Sequence, residues 1–208
     1  AFRSEGLRIG FYYSWLDWRI SAYFDGPDKD PHGWNKMKEY IHNQVEELLT
    51  KYGQIDYFFF DGAWPRTSDE LGSIELVKKM RQLQPHILII NRLGTTINSS
   101  GEHADGGLGA GESRDLGDFA TPEHHISPES GRLWESCQVP TWRLWGFSKG
   151  ERWRPADLLL DMLCECAEKG GNLILNVGPD ENGLFPPEFI QRVLAIGDWL
   201  KVHGEAIY

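Results

Sequence analysis

Lys51-Tyr-Gly-Gln-Ile-Asp-Tyr-Phe-Phe-Phe-Asp61-Gly-Ala-Trp64-Pro65 decides the reading of this chain. Residues 55–60 read as a buried β-strand, because aromatic and β-branched side chains favour a pleated, packed surface. The strand ends in a carboxylate, Asp61, and Gly62 follows at once. An apolar strand that stops at an acid is what a parallel barrel presents where a strand meets its site. Trp64 and the neighbouring rings would wall that acid. Aromatic walls around a carboxylate suit sugar chemistry, since the walls stack on the ring while the acid attacks the anomeric carbon.

Working outward, strand and helix patterns alternate. Residues 7–14 (LRIGFYYS) read as a strand, and residues 25–33 as a polar loop rich in Gly, Pro and Asp. Residues 34–52 carry Met37, Ile41, Val45 and Leu48 on one helical face, with Gly53 placed to stop the helix. A second helix spans 68–83, with Leu71, Ile74, Val77 and Met80 in register and Pro85 behind it. Residues 87–91 read as a short strand. Residues 141–147 read as another, and Pro155 opens a helix whose face is Leu158, Leu159 and Met162. Gly170-Gly171 closes it, residues 172–177 (NLILNV) form a buried strand, and Pro187 starts a last helix striped by Phe189, Val193, Ile196 and Leu200. Apolar strands alternating with helices predict an α/β fold with a parallel sheet covered on both faces. Closure into a barrel and an open doubly wound sheet both satisfy that pattern.

Composition narrows the function. At 208 residues the chain is long enough for one domain with a real core. Its formal net charge of -10 argues against nucleic acid, which demands a basic face. No apolar run approaches the ~20 residues of a membrane span, and no signal-peptide pattern is visible. The three cysteines, Cys137, Cys164 and Cys166, have no framework spacing. Cys164 and Cys166 lie two apart in a helical pattern and so do not face each other. Glu123-His124-His125 points successive side chains to opposite faces of an extended chain, which argues against a metal site. Asp180-Glu-Asn-Gly183 lacks the later ligands of a calcium loop and reads as a turn. Gly106-Gly-Leu-Gly-Ala-Gly111 fails the dinucleotide spacing, because position 112 is Glu, and reads as a surface loop. Asn98-Ser-Ser100 fits a glycosylation acceptor pattern but assigns no compartment, so localisation stays unknown.

In a parallel barrel, strand ends on the carboxyl face supply the chemistry. Here those ends are Tyr12, Tyr13 and Ser14; Asp61; Asn91 and Arg92; and Asn176 with Gly178. Asp61 is the natural nucleophile, and Arg92 is placed to pair with a carboxylate or a sugar hydroxyl. A second carboxylate is required as acid/base. Glu123, Glu129 and Glu135 are candidates, and position alone does not choose among them.

Seven segments together resemble the α-L-fucosidases of glycoside hydrolase family 29. They are Gly10-Phe-Tyr-Tyr-Ser14 with Asp17-Trp18; Tyr52-Gly-Gln-Ile-Asp-Tyr-Phe-Phe-Phe-Asp61-Gly; Asn91-Arg92; Thr121-Pro-Glu123; Trp134-Glu-Ser-Cys137 with Trp145-Gly146; Gly170-Gly-Asn-Leu-Ile-Leu-Asn-Val-Gly-Pro179; and Gly204-Glu-Ala-Ile-Tyr208. The resemblance implies a (β/α) TIM-type barrel and retaining release of α-L-fucose from fucosylated glycans, with transfucosylation as an option. It makes Asp61 the nucleophile and Glu123 the acid/base, with Glu135 in reserve. It makes Tyr12 and Arg92 substrate-binding residues, leaves Glu135 beside Trp134 as either structural or sugar-binding, and puts Phe59 where relatives often carry a pocket Trp; Trp64 joins the substrate-binding set from the aromatic wall around Asp61. No metal and no organic cofactor are expected.

The same resemblance implies earlier barrel strands and a sugar-holding His pair ahead of Gly10, and this chain carries neither. The expectation is therefore a single, amino-terminally shortened barrel domain over residues 1–208. A homo-oligomer would complete its open side, since open sheet edges and bare core attract a partner. Two further readings fit the same residues: a related barrel hydrolase acting on another sugar, and a non-catalytic degenerate barrel that binds sugar.

Overall fold

Strands and helices alternate along the chain in this computed structural model, which describes residues 2–95, 116–128 and 131–208. The chain divides into two compact units, Ala1–Phe119 and Ala120–Tyr208. The glycine run 106–111 and the triplet 98–100 lie outside the described residues.

The first unit runs β1 (Gly10–Ser14), α1 (Ser21–Lys29), α2 (Pro31–Lys51), β2 (Tyr57–Asp61), α3 (Ser68–Leu71), α4 (Ser73–Leu83) and β3 (Leu88–Ile89). The strands stand in the order β1-β2-β3, all parallel. Tyr12 pairs with Phe59 and Ser14 with Asp61, so the carboxyl ends of β1 and β2 finish level. Phe58 and Phe60 are fully buried, and Trp15 stacks on Phe60 with ring centroids 4.9 Å apart. On β2, Tyr57 stacks on Phe119 at 4.9 Å.

Helix α2 buries Trp34, Met37, Ile41, Val45 and Leu49, a stripe at three- and four-residue spacing. Each such side chain contributes about 1.5–3 kcal/mol by leaving water. The helix begins three residues before the expected position 34. Asp30 caps it, its Oδ1 accepting the Gly33 N–H at 2.9 Å, and Pro31 supplies a preset first turn. Much of the expected 25–33 loop is helical instead. Pro27 restarts α1 after a break at Gly26, whose φ of 79° suits glycine.

The strand expected at 55–60 is shifted to Tyr57–Asp61 because a side chain takes the leading amide. Buried Gln84 accepts the Ile55 N–H at 2.7 Å and donates to Leu49 O at 2.7 Å and Gly53 O at 2.9 Å. That clamp fixes where α2 ends and β2 begins. The single helix expected over 68–83 is broken at Gly72, which adopts φ 66°, ψ 34°. Thr67 and Glu70 form a reciprocal cap for α3 just before the break.

His42 sits beneath that break and donates from Nε2 to Leu71 O at 3.0 Å. Burial pushes its ring below the ordinary histidine value, and Lys38 and Lys79 add to the effect. The Leu71 bond and Glu75 oppose the shift. Between the folded value and the unfolded value of about 6.5, the unfolded chain binds more protons. Stability is therefore complete above about pH 6.5 and falls as pH drops toward the folded value. The urea midpoint should fall more between pH 7.5 and 5.5 for the native sequence than for His42→Gln. Equal falls would remove His42 as the cause.

The second unit contains β5 (Leu133–Gln138), α5 (Ala156–Glu168), β6 (Asn172–Leu175) and α6 (Pro187–His203). The short β4 (Phe119–Ala120) precedes them, and the sheet order is β4-β5-β6. Strands β5 and β6 are parallel, from Glu135 opposite Asn172 to Gln138 opposite Leu175. Leu159 of α5 and Phe189 of α6 are buried. The strand expected at 141–147 is not formed. Thr141 makes one antiparallel bridge to Trp153, and residues 142–147 are exposed. Asp180 does form a turn, its Oδ1 accepting the N–H groups of Asn182 at 2.8 Å and Leu184 at 2.9 Å. Those backbone bonds hold its carboxyl below the usual range. Among the described residues, no helix is long and apolar enough to cross a membrane.

Candidate active site

The parallel register that ends β1 and β2 together places Tyr12, Phe59 and Asp61 on one face of the sheet. Tyr12 Oη donates to Asp61 Oδ2 at 2.8 Å. Arg92, just beyond β3, donates from Nη1 to Asp61 Oδ1 at 3.1 Å. Each carboxylate oxygen thus has its own donor, one neutral and one cationic. Arg92 is only 3% exposed, and its guanidinium lies over the Phe59 ring, 5.2 Å from the centroid. Phe59 in turn stacks on Tyr12 at 5.6 Å. The cation is packed as well as paired, which fixes its geometry.

The backbone around the acid is braced from two sides. Trp15 N–H donates to Asp61 O at 2.8 Å, and the Trp15 indole donates to Arg92 O at 3.2 Å. The single Tyr23 O–H lies within hydrogen-bond reach of two carbonyl oxygens, Gly62 O and, at 2.8 Å, Trp64 O. Trp15 and Tyr23 are positioning residues that the sequence reading did not single out. Trp15 directly follows the end of β1, which was the signal available, whereas Tyr23 lies within α1 and gave none. Asp61 caps no helix, because Thr67 caps the one that follows. Tyr12 is 63% exposed, so the carboxylate it binds lies beside accessible aromatic surface; Trp64, 43% exposed, follows three residues on. A fixed, oriented carboxylate at such a surface can attack an electrophilic carbon.

In the second unit, Glu123 makes a parallel bridge with Cys137 of β5. His124 N–H donates to Cys137 O at 3.0 Å, and Cys137 N–H to Pro122 O at 2.9 Å. That register sets Thr121 beside Glu135, and Thr121 Oγ1 donates to Glu135 Oε1 at 3.0 Å. Glu123 lies two residues further toward the carboxyl end on the same face. Trp134 is 4% exposed and packs on Gly171, where a Cβ would lie 2.3 Å from the indole. Its ring therefore fills the interior of this unit. Glu129 lies outside the described residues.

Parallel strands with intervening helices define an α/β protein, and its braced carboxylate stands at a strand's carboxyl end, where parallel barrels place their sites. Residues 1–205 match the sequence model of the alpha-L-fucosidase family, and the chain belongs to that family. Alpha-L-fucosidase from Branchiostoma floridae is 37% identical over 210 residues, covering 99% of this chain and 44% of that protein. The solved alpha-L-fucosidase isoenzyme 1 from Paenibacillus thiaminolyticus is 35% identical with a TM-score of 0.81, covering 100% of this chain and 52% of that one. An alpha-L-fucosidase GH29 from Bacteroides thetaiotaomicron is 25% identical with a TM-score of 0.84, over 99% of this chain and 48% of its own. The α/β arrangement is thus that of solved fucosidases. The chain spans 41–44% of the length of the curated relatives it matches.

Proposed function

We propose that this chain carries the catalytic carboxylates of a retaining α-L-fucosidase, on strands that belong to a (β/α) TIM-type barrel. The observation that carries the reading is Asp61, held on one oxygen by Tyr12 and on the other by Arg92 at the carboxyl end of β2. Family membership supports fucose as the sugar. The sequential strand order of each sheet, with β1-β2-β3 and β5-β6 parallel, supports the barrel.

Asp61 attacks C1 of the fucosyl unit while Glu123 gives its proton to the departing oxygen. The C1–O bond breaks and a fucosyl ester on Asp61 forms. Water then gives a proton to Glu123, its oxygen bonds to C1, and the ester bond breaks. A sugar hydroxyl in place of water turns hydrolysis into transfer. Double displacement asks for carboxyl groups roughly 5–5.5 Å apart. Between the two acids of the second unit, Glu123 is preferred. It stands nearer the carboxyl end, whereas Glu135 is engaged by Thr121 further back. Tyr12, Phe59, Trp64 and Arg92 line the fucosyl side. Trp134 supports β5 from beneath, because its ring is buried.

The test is a panel of nitrophenyl glycosides followed by proton NMR. Turnover should be confined to the α-L-fucoside, and the first-formed product should be α-L-fucose before mutarotation. Release of the β anomer first, or preference for another glycoside, would overturn the assignment.

A further inference from the structure

We propose that a chain of hydrogen bonds from buried Arg154, through Gln138, Ser136 and His125, to the backbone of Glu123 holds that acid where it gives up its proton. Arg154, Gln138, Ser136 and His125 are then positioning residues. This rests on the reading of Glu123 as the acid/base. A general acid must stay within hydrogen-bond reach of the departing oxygen. A displacement of about 1 Å costs on the order of 10²-fold in rate.

The strand ladder reaches His124, whose N–H donates to Cys137 O at 3.0 Å. There the backbone turns, with φ at 61°. Past the turn, His125 ties the segment at both ends. Its Nδ1 donates to Glu123 O at 2.7 Å, and its carbonyl accepts the Ser136 hydroxyl at 2.8 Å. Ser136 and Gln138 lie on the face of β5 opposite Glu135, because side chains alternate along a strand. They are 0% and 1% exposed. Groups so deeply buried act through the backbone they hold.

Arg154 sets the direction of the whole chain, because a guanidinium only donates. Its Nη1 donates to Gln138 Oε1 at 3.3 Å, which turns the Gln138 Nε2 toward Ser136 Oγ at 2.9 Å. Ser136 accepts that bond and directs its one proton to His125 O. Arg154 is itself fixed. Its N–H donates to Pro140 O at 2.9 Å, and its guanidinium lies over the Trp142 ring, 5.4 Å from the centroid. Nη1 also reaches Met162 Sδ at 3.4 Å. Its described side-chain partners are neutral, so the charge strengthens the bond to Gln138 rather than closing an ion pair.

The test takes kcat/KM for an α-L-fucosyl-hexose disaccharide, whose leaving oxygen needs a proton, as a ratio to that for α-L-fucosyl fluoride, whose leaving group needs little help. In Gln138→Glu the introduced carboxylate pairs with Arg154, so the melting temperature should hold or rise. That carboxylate has no N–H for Ser136 and takes the Ser136 proton away from His125 O. The disaccharide-to-fluoride ratio should fall about tenfold, the scale of a sub-ångström displacement. Ser136→Ala should lower the ratio similarly, and Ser136→Thr, which keeps the hydroxyl, should restore most of it. Should Gln138→Glu fail to fold, the two Ser136 variants decide. An unchanged ratio in Ser136→Ala, or equal losses on both substrates, would overturn the relay while Glu123→Ala still lowers the ratio and keeps the acid assignment. A native ratio in Glu123→Ala would remove that assignment and the relay with it. A native chain inert toward both substrates would fell the fucosidase reading itself.

Discussion

Asp61→Gly should lower turnover of nitrophenyl α-L-fucoside by about 10⁴-fold or more, the scale seen when a catalytic nucleophile is removed. The substitution opens a space the size of a carboxylate beside C1. Azide at high concentration should enter that space from the β side and restore product as β-L-fucosyl azide. Inversion is required because one displacement then replaces two. Asp61→Asn should be equally inactive but not rescued, since the amide still fills the space. Removing the carboxylate also strands Arg92, a buried cation, which costs about 3 kcal/mol when a pair of this kind is broken. Melting curves must therefore accompany the rates. Asp61→Gly turnover within tenfold of the native chain, in folded protein, would exclude Asp61 as the nucleophile.

The place of Asp61 at a strand's end was legible because three signals coincide there: an aromatic run, its abrupt end, and the glycine after it. The helical stripes were legible for a similar reason. On α2, Met37, Ile41 and Val45 bury together as expected, but Leu49 rather than Leu48 completes the stripe, and Ile74 of α4 is 39% exposed. What failed shares a different physical cause. Strand β5 reads as Leu-Trp-Glu-Ser-Cys-Gln, which does not look like an interior strand. Yet Ser136 and Gln138 are buried, because Gln138 Nε2 donates to Ser136 Oγ at 2.9 Å and Ser136 Oγ donates to His125 O at 2.8 Å. Arg154 Nη1 donates to Gln138 Oε1 at 3.3 Å. Satisfied internally, these polar groups cost little to bury, and a hydrophobicity pattern does not register them. Gly26-Pro27 misled in the other direction. The pair reads as a loop but acts as a hinge between two helical turns. The choice between Glu123 and Glu135 turned on register, which depends on a partner strand far along the chain.

The register argument is tested by Glu123→Ala. Loss of a general acid costs about 10²–10⁴-fold and falls hardest on leaving groups that need a proton. The variant should cleave fucosyl disaccharides poorly while retaining much of its first-step rate on α-L-fucosyl fluoride. Because Asp61 still attacks, a fucosyl ester should accumulate and appear as a burst followed by a slow phase. Azide needs no general base, so it should speed that phase and leave as α-L-fucosyl azide, the configuration opposite to that from Asp61→Gly. The two azides assign the two acids by stereochemistry, without any appeal to relatives. Glu135→Ala should give neither azide. Its carboxylate is engaged by Thr121 on the strand side, so the expected result is a stability loss of about 1–2 kcal/mol from a broken charge-assisted bond. If Glu135→Ala instead yields the α azide and Glu123→Ala behaves like the native chain, the roles exchange. The preference for the acid nearer the strand's carboxyl end would then be wrong.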